Sequence, residues 1–250
     1  WLKSHLRPDE DVEIRSLTND QTILVLVGPK ARAVLQSASR GDWSKEGFPW
    51  LSVRETFIGY APATVMGVSF SGELAYEIHV PNASLYAAYL ALRDAGKAHN
   101  LRLFGARAVE SMRMEKGFLH WKADLITEFD PFETGLDRFV KLDKPDFVGK
   151  DALIQRLKEG PRKKLVTLKI DATHAPAYGG ASLMQGDTVV GTVTSGDWGH
   201  RSGLNLAYAF VDTALSGEGT VLDLDLLGDR VSAEIIAPSP YDPGHKRVRG

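Results

Sequence analysis

The sequence has no cysteine among its 250 residues. Without a thiol, the chain can form no disulfide, no thiolate zinc site, no cysteine-ligated iron–sulfur cluster and no cysteine nucleophile. A cysteine-free chain is compatible with a reducing compartment, and we expect a cytoplasmic location.

Long apolar runs are also missing. No stretch approaches the roughly 20 consecutive apolar residues of a membrane-spanning helix, and no signal peptide is visible. The formal net charge is only −2, so we expect neither nucleic acid nor an anionic membrane as a partner. The sequence starts with "WLKSHLRPDEDVEI", which reads as the middle of a domain, and we expect further residues upstream of Trp1.

The common enzyme signatures are absent as well. There is no G-x-G-x-x-G after a strand and no G-x-S-x-G elbow, and "VGKD" lacks the upstream glycine and the Ser/Thr of a phosphate-binding loop. The seven histidines are too scattered for a helical metal pair. Motifs alone therefore predict no catalytic residue and no metal ligand in this chain.

The composition, 43% hydrophobic and 25% charged, is typical of a globular protein. Strand and helix signals alternate up to about residue 145, which predicts an α+β fold for this region. The predicted elements are two strands around a turn at Asn19-Asp20 in 11–27, two or three strands in 52–80, a helix at 82–96 capped by Asn82 and ended by Gly96, and a helix at 105–117.

The pattern changes after a short connecting helix and hinge at 146–164. From Leu165 to residue 250, short alternating segments are separated by Gly-Asp turns. This arrangement predicts an all-β C-terminal domain, either a small barrel or a sandwich.

The stretch "SFSGELAYEIHV", residues 69–80, contains a carboxylate within a strand pattern. Side chains alternate along a strand, so Tyr76 and Ile78 share one face while Ala75, Glu77 and His79 share the other. Glu77 then faces either water or a ligand cavity, and the alternation by itself favours water. In a cavity, its carboxylate could accept two parallel N–H bonds from an amidine-like edge.

The helix at 105–117 carries two further candidates, Arg107 and Arg113. Either arginine could bind a ligand carboxylate with two parallel hydrogen bonds. The spacing of Glu110 and Arg113 equally fits an ordinary ion pair on an exposed helix, worth a few tenths of a kcal/mol, and spacing alone favours that interpretation.

Four segments, taken together and in order, resemble the aminomethyltransferase (glycine-cleavage T-protein) family. They are "VLVGPKARAVLQ", "SFSGELAYEIHVP", "ESMRMEKGFL" and "VGTVTSG". The resemblance covers nearly the whole chain. Within the family, "SGELAYEI", "MRMEKGF" and the final "PYDPGHKRVRG" are most similar to the C-terminal, folate-binding half of dimethylglycine and sarcosine dehydrogenases.

The resemblance implies a multi-domain ring around a central folate funnel. It implies that a one-carbon unit passes from a small-molecule amine to tetrahydrofolate, which would be the cofactor. Flavin (FAD) would belong only to a separate N-terminal half of a dehydrogenase. Two alternatives stay open, namely a tetrahydrofolate-dependent O- or S-demethylase and a non-catalytic folate-binding module.

The resemblance also implies roles for particular residues. Glu77 matches the carboxylate that holds the pterin edge. Aromatic positions near the folate, which suit stacking on flat rings, are matched by Phe70, Phe118, Phe139 and, more loosely, Trp50.

The sequence departs from the family pattern in two places. Val109 stands where many members have the arginine that contacts the folate tail, which leaves Arg107 and Arg113 as the nearest candidates. The catalytic aspartate of the family aligns upstream of Trp1. We therefore expect these 250 residues alone to bind folate better than they turn it over.

Overall fold

The computed structural model describes all residues, Trp1–Gly250. The chain forms two compact units. The sheet unit comprises Trp1–Ser69, Glu73–Leu103 and Lys246–Gly250, and the barrel unit comprises Phe70–Gly72 and Phe104–His245. Domain limits near residues 145 and 165 remain a prediction from the sequence pattern. None of the helices combines the length and the apolar character that crossing a bilayer requires.

Ten strands and five α-helices make up the regular structure. In chain order they are β1 (Gln21–Val27), α1 (Ala31–Ala38), β2 (Val53–Ile58), β3 (Ala61–Met66), β4 (Ala75–Pro81), α2 (Leu85–Gly96), α3 (Ala106–Lys116), α4 (Lys150–Glu159), β5 (Lys163–Ile170), β6 (Ser182–Gln185), β7 (Thr188–Gly199), β8 (Leu204–Asp212), β9 (Val221–Leu226), β10 (Asp229–Ile236) and α5 (Lys246–Arg249).

The sheet unit contains a four-stranded antiparallel sheet in the order β1-β4-β3-β2. One face of this sheet is apolar at alternate positions and packs with α1 and α2 into a single core. That core includes Leu26, Leu35, Ile58, Val65, Tyr76, Ile78, Val80, Ala88 and Leu92. The predicted alternation of β4 is therefore present, with Tyr76 and Ile78 on the core side.

Two local predictions for this unit are wrong. Residues 11–17 form no strand, because β1 pairs only with β4 and the residues before the turn lie mostly exposed without a partner strand. Asn82 does not cap α2, since its side chain accepts a hydrogen bond from Thr22 Oγ1 and donates one to the carbonyl of Asn19. The α-helix instead begins at Leu85.

The barrel unit contains a closed six-stranded barrel in the order β10-β5-β8-β7-β6-β9. This resolves the predicted choice between barrel and sandwich. Inward-facing apolar side chains fill the interior, among them Leu168, Leu183, Val193, Leu222, Leu224 and Ile235. Closure leaves no unpaired strand edge, which stabilises a small all-β domain.

Helix α3 packs against β7 and β8 of the barrel. The helix ends at Gly117, which has φ +75°. A Cβ at this position would lie 2.6 Å from the carbonyl oxygen of Pro238. Both the left-handed backbone and the close approach therefore require glycine here.

Two buried tyrosines allow a matched test of hydrogen bonding in these cores. Burial raises the pKa of both hydroxyls. Tyr208 donates to the Met114 carbonyl at 2.6 Å, whereas the Tyr76 hydroxyl is buried without a partner. We expect Tyr208→Phe to lower the free energy of unfolding by about 1–2 kcal/mol and Tyr76→Phe to leave it unchanged or raise it. Urea unfolding measures both, and an equal loss in the two variants would contradict this assignment.

Candidate functional site

Glu77 lies at the centre of β4, between β1 and β3. Its cross-strand neighbours are Val25 and Met66. The side chain is 34% exposed, and its Oε2 atom lies 3.3 Å from His79 Nε2 on the same face of the sheet. Glu77 Oε1 has no partner within the protein. The carboxylate is thus neither buried nor fully solvated, and one oxygen remains open.

Apolar side chains surround Glu77 on this face, which we call the open face. Because side chains alternate, the residues that share a cross-strand row with Glu77, or lie two or four positions along a strand from that row, point the same way. Four large members of the open face are substantially exposed, namely Ile23 (47%), Val25 (50%), Val53 (60%) and Phe57 (59%). The same face carries the carboxylates of Glu77 and, between Val53 and Phe57, of Glu55. An exposed surface that combines apolar side chains with carboxylates is typical of a ligand or interaction surface.

The barrel unit holds a second group of polar side chains, centred on Arg113. Its side chain is only 1% exposed. All five N–H donors of the guanidinium are used: two on Glu110 Oε2, one on the Phe118 carbonyl, one on Asp124 and one on Ser195. A guanidinium has no further donor. Arg113 therefore holds other groups in place and offers nothing to a ligand in this structure.

Asp124 is the buried partner that makes this arrangement possible. Its side chain is 0% exposed. Oδ2 accepts from Arg113 Nη1 at 2.6 Å and from the His120 backbone N–H at 2.8 Å, and Oδ1 accepts from the hydroxyls of Thr194 and Ser195 at 2.5 and 2.7 Å. Four hydrogen bonds and one opposite charge offset the cost of burying this carboxylate.

A β-bulge explains how two consecutive residues reach the same oxygen. Side chains of neighbouring strand residues normally point to opposite faces. The pairing of β7 with β8 shifts register between Val193 and Ser195. Such a shift re-aims one side chain, so that Thr194 and Ser195 both donate to Asp124.

The other predicted site residues lie in different surroundings. Arg107 is exposed on the first turn of α3 and forms no ion pair. Phe118 stacks on His245, with ring centroids 6.3 Å apart, and Phe139 is 67% exposed beneath the Arg138 guanidinium. In the sheet unit, Trp50 lines a small cavity with Tyr76 and Arg249. Phe70, in the barrel unit, is 38% exposed and lies 6.2 Å from the His120 ring.

The prediction drawn from residue spacing in α3 is correct only in part. The pair Glu110–Arg113 is present at 2.6 Å, but the interpretation of α3 as an exposed helix is wrong. Its last turn is buried, and its charged groups find partners there. Glu115 accepts hydrogen bonds from the backbone of Arg201 and Ser202, and Lys116 pairs with Asp242. Asp124 was not predicted, because no local pattern distinguishes it in "HWKADL".

Comparison with known proteins assigns most of the chain to one family. Residues 1–144 match the GCVT N-terminal domain and residues 163–242 match the glycine cleavage T-protein C-terminal barrel domain. The chain therefore belongs to the aminomethyltransferase (glycine-cleavage T-protein) family, and the resemblance drawn from its motifs is confirmed.

Curated relatives include both dehydrogenases and transferases. The chain is 35% identical to human mitochondrial dimethylglycine dehydrogenase over 94% of its own length but only 28% of that protein. It is 34% identical to human mitochondrial sarcosine dehydrogenase, covering 93% of the chain and 26% of that protein. It is 28% identical to the aminomethyltransferase of Alkaliphilus oremlandii, covering 95% of the chain and 64% of that protein.

A solved structure supports the same assignment. The aminomethyltransferase T of the glycine cleavage system from Bartonella henselae superposes with a TM-score of 0.79 at 25% identity, over 89% of this chain and 60% of that one. The predicted fold class, a mixed α+β region followed by an all-β barrel, is thereby confirmed.

The buried pair of Arg113 and Asp124 leads to a stability prediction. Asp124→Asn removes the buried acid of Arg113 and leaves only the partly exposed Glu110 to balance its charge, so we expect the free energy of unfolding to fall by about 2–3 kcal/mol. Chemical denaturation monitored by circular dichroism measures the loss. The matched control is Asp94→Asn, which breaks the exposed ion pair with Lys97 and should leave the midpoint unchanged. Similar midpoints for the two variants would show that the buried pair is not needed for stability.

Proposed function

We propose that the chain binds tetrahydrofolate through Glu77 and acts as a one-carbon (aminomethyl) transferase domain. The observation that carries this proposal is the position of Glu77, a half-exposed carboxylate with one open oxygen in the middle of an apolar sheet face. The proposed partners are folate and a small-molecule amine.

The residues of the open face suit a pterin. A carboxylate can accept two parallel N–H bonds from the amidine-like edge of the ring, and charge makes these bonds stronger than neutral ones. Glu77 Oε2 can accept a further bond beside His79, since each carboxylate oxygen has two lone pairs. The side chains of Val25 and Met66, directly across from Glu77 on β1 and β3, provide apolar surface beside the carboxylate for a flat ring.

The relatives indicate the type of reaction. Dimethylglycine dehydrogenase, sarcosine dehydrogenase and aminomethyltransferases are each named for a methylated amine or an aminomethyl group. When bound, tetrahydrofolate supplies the nitrogen that accepts the one-carbon unit. The chain would supply binding and orientation, with Glu77 fixing the pterin and the open face excluding water from its rings. We further propose that this domain serves a demethylating enzyme of the dimethylglycine or sarcosine type.

Calorimetry with 5-formyltetrahydrofolate tests the folate site. Hydrogen bonds to a charged group contribute about 1.5–3 kcal/mol. We therefore expect Glu77→Ala, and to a smaller extent Glu77→Gln, to weaken binding by about 10- to 100-fold.

The matched control for this experiment is Glu46→Gln. Glu46 lies in an exposed turn of the sheet unit before β2, outside the open face. The Glu46 variant should bind folate like the parent protein. Equal binding by the parent and by Glu77→Ala would refute the proposed site.

A further inference from the structure

Glu110 on α3 is a second carboxylate with one open oxygen. Its Oε2 atom accepts hydrogen bonds from Nε and Nη2 of Arg113, at 2.9 and 2.6 Å. Its Oε1 atom takes part in no hydrogen bond, and its nearest polar neighbour is His120 Nε2 at 3.9 Å. The side chain is 36% exposed. Glu110 is therefore held rigidly on one side and accessible on the other.

The charges around Glu110 do not cancel. The Arg113 guanidinium contacts two carboxylates, Asp124 at 2.6 Å and Glu110 at 2.6 Å. Asp124 is fully buried and cannot be neutralised by solvent ions, so its charge is balanced by Arg113. The side chains of Arg113, Asp124 and Glu110 together carry one net negative charge, and Glu110 is the accessible one of the two carboxylates.

One ring, His120, borders the open side of Glu110, and a second ring, Phe70, lies beside His120. His120 lies next to Glu110 Oε1, and the Phe70 ring centroid lies 6.2 Å from that of His120, tilted by 53°. The backbone of His120 is fixed by its hydrogen bond to Asp124. His120 Nδ1 is buried without a hydrogen-bond partner, and Nε2 is the ring nitrogen that faces Glu110. The side chains of Phe70 and His120 remain 38% and 44% exposed.

We propose that Glu110, Phe70 and His120 form a binding site for an alkylammonium group. A carboxylate beside aromatic rings is the usual protein environment for organic cations, because the ring face and the carboxylate both attract positive charge. Arg113 and Asp124 act as positioning residues that fix the carboxylate and the histidine. The identification of the ligand as the amine partner of one-carbon transfer rests on the proposed function, whereas the site itself rests on this geometry.

NMR titration tests the site with a small probe. The ring protons of His120 are followed while tetramethylammonium chloride is added to the protein, and tert-butyl alcohol serves as an uncharged probe of similar size. We expect the cation to shift the His120 signals saturably and the alcohol to have no comparable effect. Equal responses to both probes would overturn the proposal.

Two variants identify the groups responsible. Glu110→Gln should weaken tetramethylammonium binding by about fivefold or more. Phe70→Leu, which leaves the contacts of Arg113 intact, should weaken it by about two- to fivefold. Glu218→Gln removes the same charge from an exposed turn of the barrel unit and should have no effect.

Full affinity in both the Glu110 and the Phe70 variants would overturn the site, and so would an equal loss in the Glu218 variant. If Glu110→Gln fails to fold, the Phe70 variant decides alone.

The variants of Glu77 and Glu110, rather than that of Phe70, separate this site from the folate site. Affinity for 5-formyltetrahydrofolate depends on Glu77 under the proposed function, and affinity for tetramethylammonium depends on Glu110. If Glu110→Gln weakens tetramethylammonium binding while Glu77→Ala leaves 5-formyltetrahydrofolate binding unchanged, the ammonium site stands and the folate site is refuted. If Glu77→Ala weakens folate binding while Glu110→Gln leaves tetramethylammonium binding unchanged, only the ammonium site is refuted.

Discussion

The buried ion pair between Arg113 and Asp124 is the interaction on which the barrel unit most depends. Each partner is costly to bury alone, and each is satisfied only when a helix, a loop and a bulged strand meet in one arrangement. Five donors on the arginine and four bonds to the aspartate leave no unused capacity. The pair therefore fixes α3 relative to β7, and with it Glu110 and the start of the loop after Gly117.

The two units position their carboxylates by different physical means. In the sheet unit, strand alternation places Tyr76 in the core and Glu77 on the open face, so packing of one side determines the exposure of the other. In the barrel unit, Glu110 is oriented by hydrogen bonds to a buried cation. Both arrangements leave one carboxylate oxygen available, on Glu77 and on Glu110, and in both the carboxylate is carried by a regular strand or helix and not by a flexible loop.

The sequence predicted those features that local chemistry determines. Turn residues and apolar periods located most strands, helices α2 and α3, and the series of strands that follows Leu165. The error at residues 11–17 arose because a strand needs a partner, which a local pattern does not reveal. Arg113 was misjudged for the same reason, since burial of a charge depends on Asp124 and Ser195, which are distant in sequence. Alternation indicated the face of Glu77, but only the family resemblance suggested a ligand for it.

The sheet unit retains an edge that the barrel lacks. Strand β1, "QTILVLV", pairs with β4 on one side and has no strand on the other. It contains no lysine, glutamate or proline, the residues that usually discourage pairing between molecules at such an edge. Ile23 and Val25 also project from it into the open face. Partial unfolding should therefore lead to self-association through β1 before other segments. Irreversible aggregation on heating should then increase with protein concentration.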